Sequence, residues 1–255
     1  MPYLYLSPST QEGNPYITGS GSEEYWMNRL ADTLEPYLRS NAIAFTRNTP
    51  EMTAGSSIRQ ANGRGGYDLY LALHSNASGS GESEGRQRGI IAFYYPTSGE
   101  GRRAAELFAD NFKTIYPLPE RVVTRATTSL GEVSQSNFPA VLLEIGYHDN
   151  VADARWIEGN LDGIAAVIAI ALTEFFGIPF VTPITPWTGI VRVSYGTLNL
   201  RTYPSSTATL AADLPAGAEV TVYGQLEDWL VVHYQGRMGY AAARYIVRKS
   251  SISGN

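Results

Sequence analysis

Residues 178–186, Ile-Pro-Phe-Val-Thr-Pro-Ile-Thr-Pro, hold three prolines in nine positions and separate two patterns of different period. Proline fixes its own φ and removes a backbone donor, so such a run is semi-extended rather than helical or paired. Before it, apolar strand-like runs alternate with segments of helical spacing, which calls for a sheet covered by helices. After it, Val191, Leu198, Leu200, Val220, Val222, Trp229, Val231 and Val232 fall in short strands between Gly- and Pro-containing turns, the pattern of a small all-β unit. The expected organisation is a large domain over 1–178, a linker over 179–188, a small domain over 189–249 and a disordered tail over 250–255.

In the large domain, Tyr3-Leu4-Tyr5-Leu6 reads as a buried strand, and residues 7–22 as a loop rich in Ser, Gly, Pro and Asn. Ser22 is a candidate helix N-cap, followed by Trp26, Leu30 and Leu34 at near-helical spacing. Further strands are expected over 42–46, 69–73, 90–95 and 141–145, and helices over 102–115, 151–158 and 161–176. This alternation predicts an α/β fold, a mostly parallel sheet with helices on both faces. In such sheets functional residues gather beyond the carboxyl ends of the strands. His74 and Glu144 both stand at such ends, so the two can share a cleft although 70 positions separate them.

Composition narrows the chemistry. The chain has no cysteine, which excludes disulfides, thiolate metal sites and a cysteine nucleophile. A bound metal has to use His, Asp, Glu or weaker oxygen donors, and the only histidines are His74, His148 and His233. The net charge is −5, with 13 Lys+Arg against 20 Asp+Glu over residues 1–185 and 6 against 4 over 186–255. So acidic a chain is poorly suited to nucleic acid, which needs its phosphates neutralised. The longest apolar run, residues 163–172, is too short to span a bilayer. Met1 leads almost directly into an apolar strand with no basic start, so no signal peptide is expected.

Three polar positions carry the candidate chemistry: Glu24 in the first turn of a helix, His74 at the end of a buried strand, and Glu144 inside an apolar one. A carboxylate in such a strand is costly unless it has a partner or a task. Singly, each has an ordinary reading: a rim ion pair for a glutamate, a satisfied strand-end residue for the histidine. Together, a His and a Glu as metal ligands with a second Glu as proton acceptor form the minimal set for zinc-assisted hydrolysis.

The same residues carry a resemblance. Glu24-Tyr25-Trp26-Met27-Asn28, Leu73-His74-Ser75-Asn76-Ala77 and Pro139-Ala140-Val141-Leu142-Leu143-Glu144-Ile145-Gly146-Tyr147, with Asn150 just after, agree in order and spacing with the motifs of zinc-dependent N-acetylmuramoyl-L-alanine amidases. The chain resembles that family over roughly residues 3–177. The resemblance implies zinc as cofactor, Glu24 and His74 as ligands, Glu144 as catalytic base and Asn76 as a substrate contact. One motif departs. Where the family reads Asp-Pro-Gly-His-Gly, with the His on zinc, this chain reads Ser7-Pro8-Ser9-Thr10-Gln11. His148, four residues after Glu144, is the candidate third ligand; Gln11 or Thr10 is the alternative, a weaker donor. The ordinary reading of His148 is packing near Tyr147.

Beyond the prolines, Leu198-Asn199-Leu200-Arg201-Thr202-Tyr203-Pro204-Ser205, then residues 217–222, Trp229 and Gly236-Arg237-Met238-Gly239-Tyr240, resemble bacterial SH3-like domains over about 189–247. Such a small barrel implies peptidoglycan binding, with Tyr203, Trp229 and Tyr240 as candidate contacts. Trp229 also reads as core, and His233 as unrelated to the metal. The whole is expected to be a cell-wall hydrolase of autolysin or endolysin type, extracytoplasmic or wall-associated, leaving the cell by phage-type or other non-classical release. The alternative is a catalytically impaired peptidoglycan-binding protein on the same fold. The polar stretches 77–89 and 117–137 are expected to shape the groove.

Overall fold

A computed structural model describes residues 1–79 and 84–249. The tail over 250–255 and part of the 77–89 stretch lie outside the described residues. Internal contacts divide the chain into two units: Tyr3–Glu35 with Phe45–Gly177, and Met1–Pro2 with Pro36–Ala44 and the chain from Ile178 on.

The larger unit runs β1 (Tyr3–Pro8), α1 (Glu23–Ser40, its last turn in the other unit), β2 (Ala44–Arg47), α2 (Ala54–Arg64), β3 (Leu69–Asn76), β4 (Ile90–Tyr94), α3 (Gly99–Phe112), β5 (Val122–Ala126), α4 (Gly131–Ser134), β6 (Ala140–Tyr147), α5 (Val151–Gly159) and α6 (Leu161–Phe176). The strands form one sheet in the order β2-β1-β3-β6-β4-β5. β1, β3 and β6 are parallel neighbours and β4 runs parallel to β5, while β4 lies antiparallel to β6. The fold is therefore α/β with a mostly parallel sheet, as the alternation predicts. The central strands β3 and β6 are buried along nearly their whole length, which is why their sequences are apolar runs rather than alternations.

Side chains alternate between the two faces of the sheet. Tyr5, Tyr70, Ala72, Ala140 and Leu142 share one face with Ile58 and Ala61 of α2 and Val133 of α4. His74 and Glu144 continue this face at the carboxyl ends of β3 and β6, where they are register partners. Leu71, Leu73, Val141, Leu143 and Ile145 alternate onto the opposite face, and all are fully buried.

Two helices and a strand escaped the sequence pattern. α2 reads Ala-Gly-Ser-Ser-Ile-Arg-Gln-Ala-Asn-Gly-Arg, too polar for an apolar stripe, and buries only Ser57, Ile58 and Ala61. A capping box between Thr53 and Ser56 starts it, two backbone donors being satisfied reciprocally. β5 is an edge strand, mostly exposed, so it lacks a buried run. α4 is a single turn that carries one residue of the site.

The smaller unit contains β7 (Trp187–Val191), β8 (Thr197–Arg201), β9 (Leu210–Pro215), β10 (Glu219–Leu226), β11 (Trp229–Tyr234), β12 (Arg237–Ala242) and β13 (Ile246–Arg248). They form an SH3-like sheet in the order β13-β7-β10-β11-β12-β8-β9, antiparallel throughout, around a core of Val191, Leu198, Leu200, Leu214, Val220, Val222, Leu230, Val232, Ala241 and Ile246. The proline-rich stretch has no regular structure, but it is not a free tether. Val181 is buried, its N–H donates to Asn41 Oδ1 at 2.6 Å, and its carbonyl accepts from Ser40 Oγ at 2.7 Å and Asn41 Nδ2 at 3.1 Å. Among the described residues no single helix is long and apolar enough to cross a membrane.

Candidate active site

The site is assembled around His74. Its Nδ1 lies 2.8 Å from Glu23 Oε1 and its Nε2 lies 2.8 Å from Glu132 Oε2. An ionised carboxylate can only accept, so against two of them both ring nitrogens donate and the ring is an imidazolium. Burial alone would lower the His74 pKa, but the hydrogen bonds to Glu132 and Glu23 outweigh it and hold the pKa well above its ordinary value. Burial likewise pushes Glu23 up, and the His74 hydrogen bond and charge, with help from Asn14 and Ser9, bring its pKa below the usual carboxylate range. Asn14 Nδ2 donates to Glu23 Oε2 at 2.7 Å. Glu132 Oε1 accepts from Ser7 Oγ at 2.6 Å and from the Tyr70 hydroxyl at 2.7 Å.

Glu144 is the third carboxylate. Its Oε2 is buried and has no hydrogen-bond partner among the described residues. Burial is the largest influence and raises its pKa to about 7; the His74 charge opposes this, and Glu23 and Glu132 reinforce it. One imidazolium stands among Glu23, Glu132 and Glu144, and Glu144 can hold a proton near neutrality. A group poised there is suited to accept a proton and give it back.

The helix carboxylate that meets His74 is Glu23. Glu23 is 1% exposed and continues the buried stripe of Met27, Leu30, Leu34 and Leu38, spaced as one helix face. Glu24 lies about 100° around the helix from Glu23; it is half-buried, and burial first, then the charges of Glu12 and Glu51, raise its pKa. Extending the Leu30/Leu34 periodicity two turns backward, through Met27, was the available signal. Glu132 had no such signal, because its single-turn helix lies within a polar stretch.

His148 does not join His74. Its ring stacks on Tyr16, centroids 5.5 Å apart and planes at 18°, and its Nδ1 donates to the Ser75 carbonyl at 2.8 Å. Its backbone N–H donates to Asn76 O at 2.8 Å, and its carbonyl accepts from Ile17 N–H at 3.0 Å. It pins the 16–22 loop to the ends of β3 and β6, nearer its packing role than a ligand's. Asn150 is the N-cap of α5, accepting from Ala152 and Asp153 N–H. Asn76 Oδ1 accepts from Ala77 N–H at 2.8 Å at the end of β3. Gln11 reaches the site, its Nε2 lying 3.3 Å from His74 Nδ1; Thr10 makes no such contact among the described residues.

The donors do not fit the expected zinc centre. No three of His, Asp or Glu among the described residues are grouped to hold a metal. Glu23 and His74 are direct hydrogen-bond partners at 2.8 Å. The third position holds the Gln11 amide, a weak donor.

In the smaller unit, Trp229 is partly buried and lines a cleft of about 670 Å³ with Tyr195, Arg201, Asp228, Arg244 and Tyr245. Tyr203 is 45% exposed outside that lining. Tyr240 is fully buried against Ala42, Val181, Val231 and Met238, so it has no surface to offer a ligand. His233 lies on β11 in this unit.

The N-acetylmuramoyl-L-alanine amidase family model matches residues 9–174, and the bacterial SH3 domain model matches residues 196–247. No curated protein sequence matches the chain. Among solved structures, the catalytic domain of CwlV, an N-acetylmuramoyl-L-alanine amidase from Bacillus (Paenibacillus) polymyxa var. colistinus, superposes with a TM-score of 0.60 at 18% identity, covering 70% of this chain and 100% of that one. The amidase AmiC2 of Nostoc punctiforme gives 0.58 at 15% identity, covering 69% and 97%. The catalytic domain of the CD27L endolysin targeting Clostridia difficile gives 0.54 at 22%, covering 68% and 97%. At these identities the likeness is one of fold.

Proposed function

Because the chain belongs to the N-acetylmuramoyl-L-alanine amidase family and carries a bacterial SH3 domain, we propose that it is a peptidoglycan hydrolase cleaving the amide between N-acetylmuramic acid and the L-alanine of the stem peptide. The observation that carries this reading is Glu144: a half-buried side chain at a strand end whose Oε2 is buried and has no partner among the described residues, with burial raising its pKa to about 7. In its ionised form it takes a proton from the water that attacks the lactyl amide carbonyl. It then returns that proton to the leaving alanine nitrogen, so the products are a free glycan and a free stem peptide. His74 has both N–H groups committed to Glu23 and Glu132, so it acts through its charge, which favours the oxyanion that develops beside it. Glu23 and Glu132 are positioning residues.

The zinc that the family resemblance implies needs a third donor beside Glu23 and His74, where Gln11 offers an amide. Water activation is therefore assigned to Glu144. The incomplete donor set also favours a second reading, wall binding without cleavage. The cleft around Trp229, Tyr195 and Tyr245 is the surface proposed for the wall, and action at the cell wall, outside the cytoplasm, follows from this substrate. Mass spectrometry of purified peptidoglycan after incubation separates the readings. Stem peptides with a new L-alanine amino terminus support hydrolysis; intact sacculi that retain bound protein support the second reading.

A further inference from the structure

We propose that an arginine-lined cleft beside Glu144 binds the free α-carboxylate of the second stem-peptide residue, the γ-linked D-glutamate. The proposal rests on the amidase reading and adds a specificity determinant to it. The cleft, about 410 Å³, is lined by Arg86, Arg88, Arg121 and Arg125 with Ile91, Val123 and Tyr147, and by no carboxylate. These are four of the 13 cations in a region that also carries 20 acids, so their convergence runs against the local charge.

Sheet register fixes where this cleft lies. Glu144 pairs with Ile91 on β4, and Ile91 pairs with Val123 on β5. Paired residues share a face, so this row crosses from Glu144 to the edge strand on the face that carries the site. Arg121 and Arg125 stand two positions either side of Val123 and flank that row. Two strand spacings separate β6 from β5, about 10 Å, and an arginine side chain spans much of that distance. A carboxylate five bonds from the scissile nitrogen falls within the gap. Val123 is 39% exposed and both flanking arginines are open to solvent. Among the described residues no carboxylate pairs with Arg86, Arg121 or Arg125.

The inner wall is built. Arg88 Nε donates to Asp153 Oδ1 at 2.7 Å, and Asp153 is fully buried. Asp153 also accepts from the Tyr116 hydroxyl at 2.7 Å and from Gly89 and Tyr147 N–H, each at 3.1 Å. The cleft thus combines a fixed, neutralised arginine with three whose charge is available to a ligand, and guanidinium groups suit a carboxylate.

The test uses the full chain carrying Glu144→Gln to prevent turnover, and titrates N-acetylmuramoyl-L-alanyl-D-isoglutamate and its isoglutamine counterpart by calorimetry. The acid is expected to bind up to about fivefold more tightly than the amide, the upper end for one solvent-exposed charged pair. Adding Arg121→Gln and Arg125→Gln, both surface positions, is expected to erase that preference while leaving affinity for the amide unchanged. Equal affinity for the two ligands, a preference that survives the double substitution, or no binding of either overturns the proposal. Hydrolysis of the same two compounds by the unsubstituted protein reports separately on the amidase reading.

Discussion

Replacing Glu144 by Gln removes one titrating group from the centre of the larger unit, and the structure sets the size and direction of the effect. The carboxyl is raised from 4.5 to about 7, chiefly by burial. In the unfolded chain the group ionises near its ordinary value, while the folded protein keeps the proton until about pH 7. The folded state therefore binds more protons between these limits, and Glu144 lowers stability as pH rises through that window and no further above it. The displacement corresponds to about 3 kcal/mol. For a unit of this size that is roughly 6–12 °C in Tm. The assay is thermal unfolding of the wild type and Glu144→Gln from pH 4 to 9. The variant should gain on the wild type across the window and hold a constant advantage above it. The same proton should appear in catalysis, with kcat/KM rising to a plateau through about pH 7. A stability difference that is flat over the range, or one confined to pH near 4.5, would refute the reasoning.

Glu132→Ala strips a buried imidazolium, a tyrosine hydroxyl and a serine hydroxyl of their shared acceptor, and should cost about 3–5 kcal/mol in denaturant unfolding; a loss below about 1 kcal/mol would mean that His74 is held otherwise. Gln11→His places an imidazole beside Glu23 and His74, so it should retain about one zinc per chain after dialysis where the wild type retains none; stoichiometric zinc in the wild type, by elemental analysis, would contradict the reading of the donor set. Thr53→Ala removes the capping box of α2 and should cost about 1 kcal/mol, measured by denaturant unfolding at neutral pH. Trp229→Ala should weaken sedimentation with insoluble peptidoglycan while leaving hydrolysis of a soluble muramyl peptide unchanged, and an equal loss in both would place Trp229 outside the wall-binding surface.

The parallel core was legible because β3 and β6 are buried on both faces, so their sequences carry long apolar runs that loops do not. His74 and Glu144 were legible for the same reason: a polar side chain interrupting such a run needs a task. Motif spacing points to Glu24, whereas the helical face points to Glu23, which continues the stripe through Met27 and Leu30 and meets His74. Glu132 and the arginine cleft were not legible. Their positions depend on a one-turn helix, an edge strand and a cross-sheet register, none of which leaves a periodic trace in sequence. His148 illustrates the opposite hazard: its chemistry suited a ligand, while tertiary packing commits its ring to Tyr16 and Ser75. Tyr240 was read as a surface aromatic because β-strand spacing does not tell which face is covered, and here Ala42, just past α1, and Val181 of the proline-rich segment cover it.

Amide hydrolysis at the lactyl–alanine bond is the task proposed for Glu144. Its most direct test is the yield of newly exposed L-alanine amino termini from purified peptidoglycan, wild type against Glu144→Gln, at pH 8 where the wild-type carboxyl is ionised. Release by the wild type and its loss in the variant are expected, with no new reducing sugar ends from either. Release that persists in Glu144→Gln, or cleavage at a glycosidic bond instead, would contradict it.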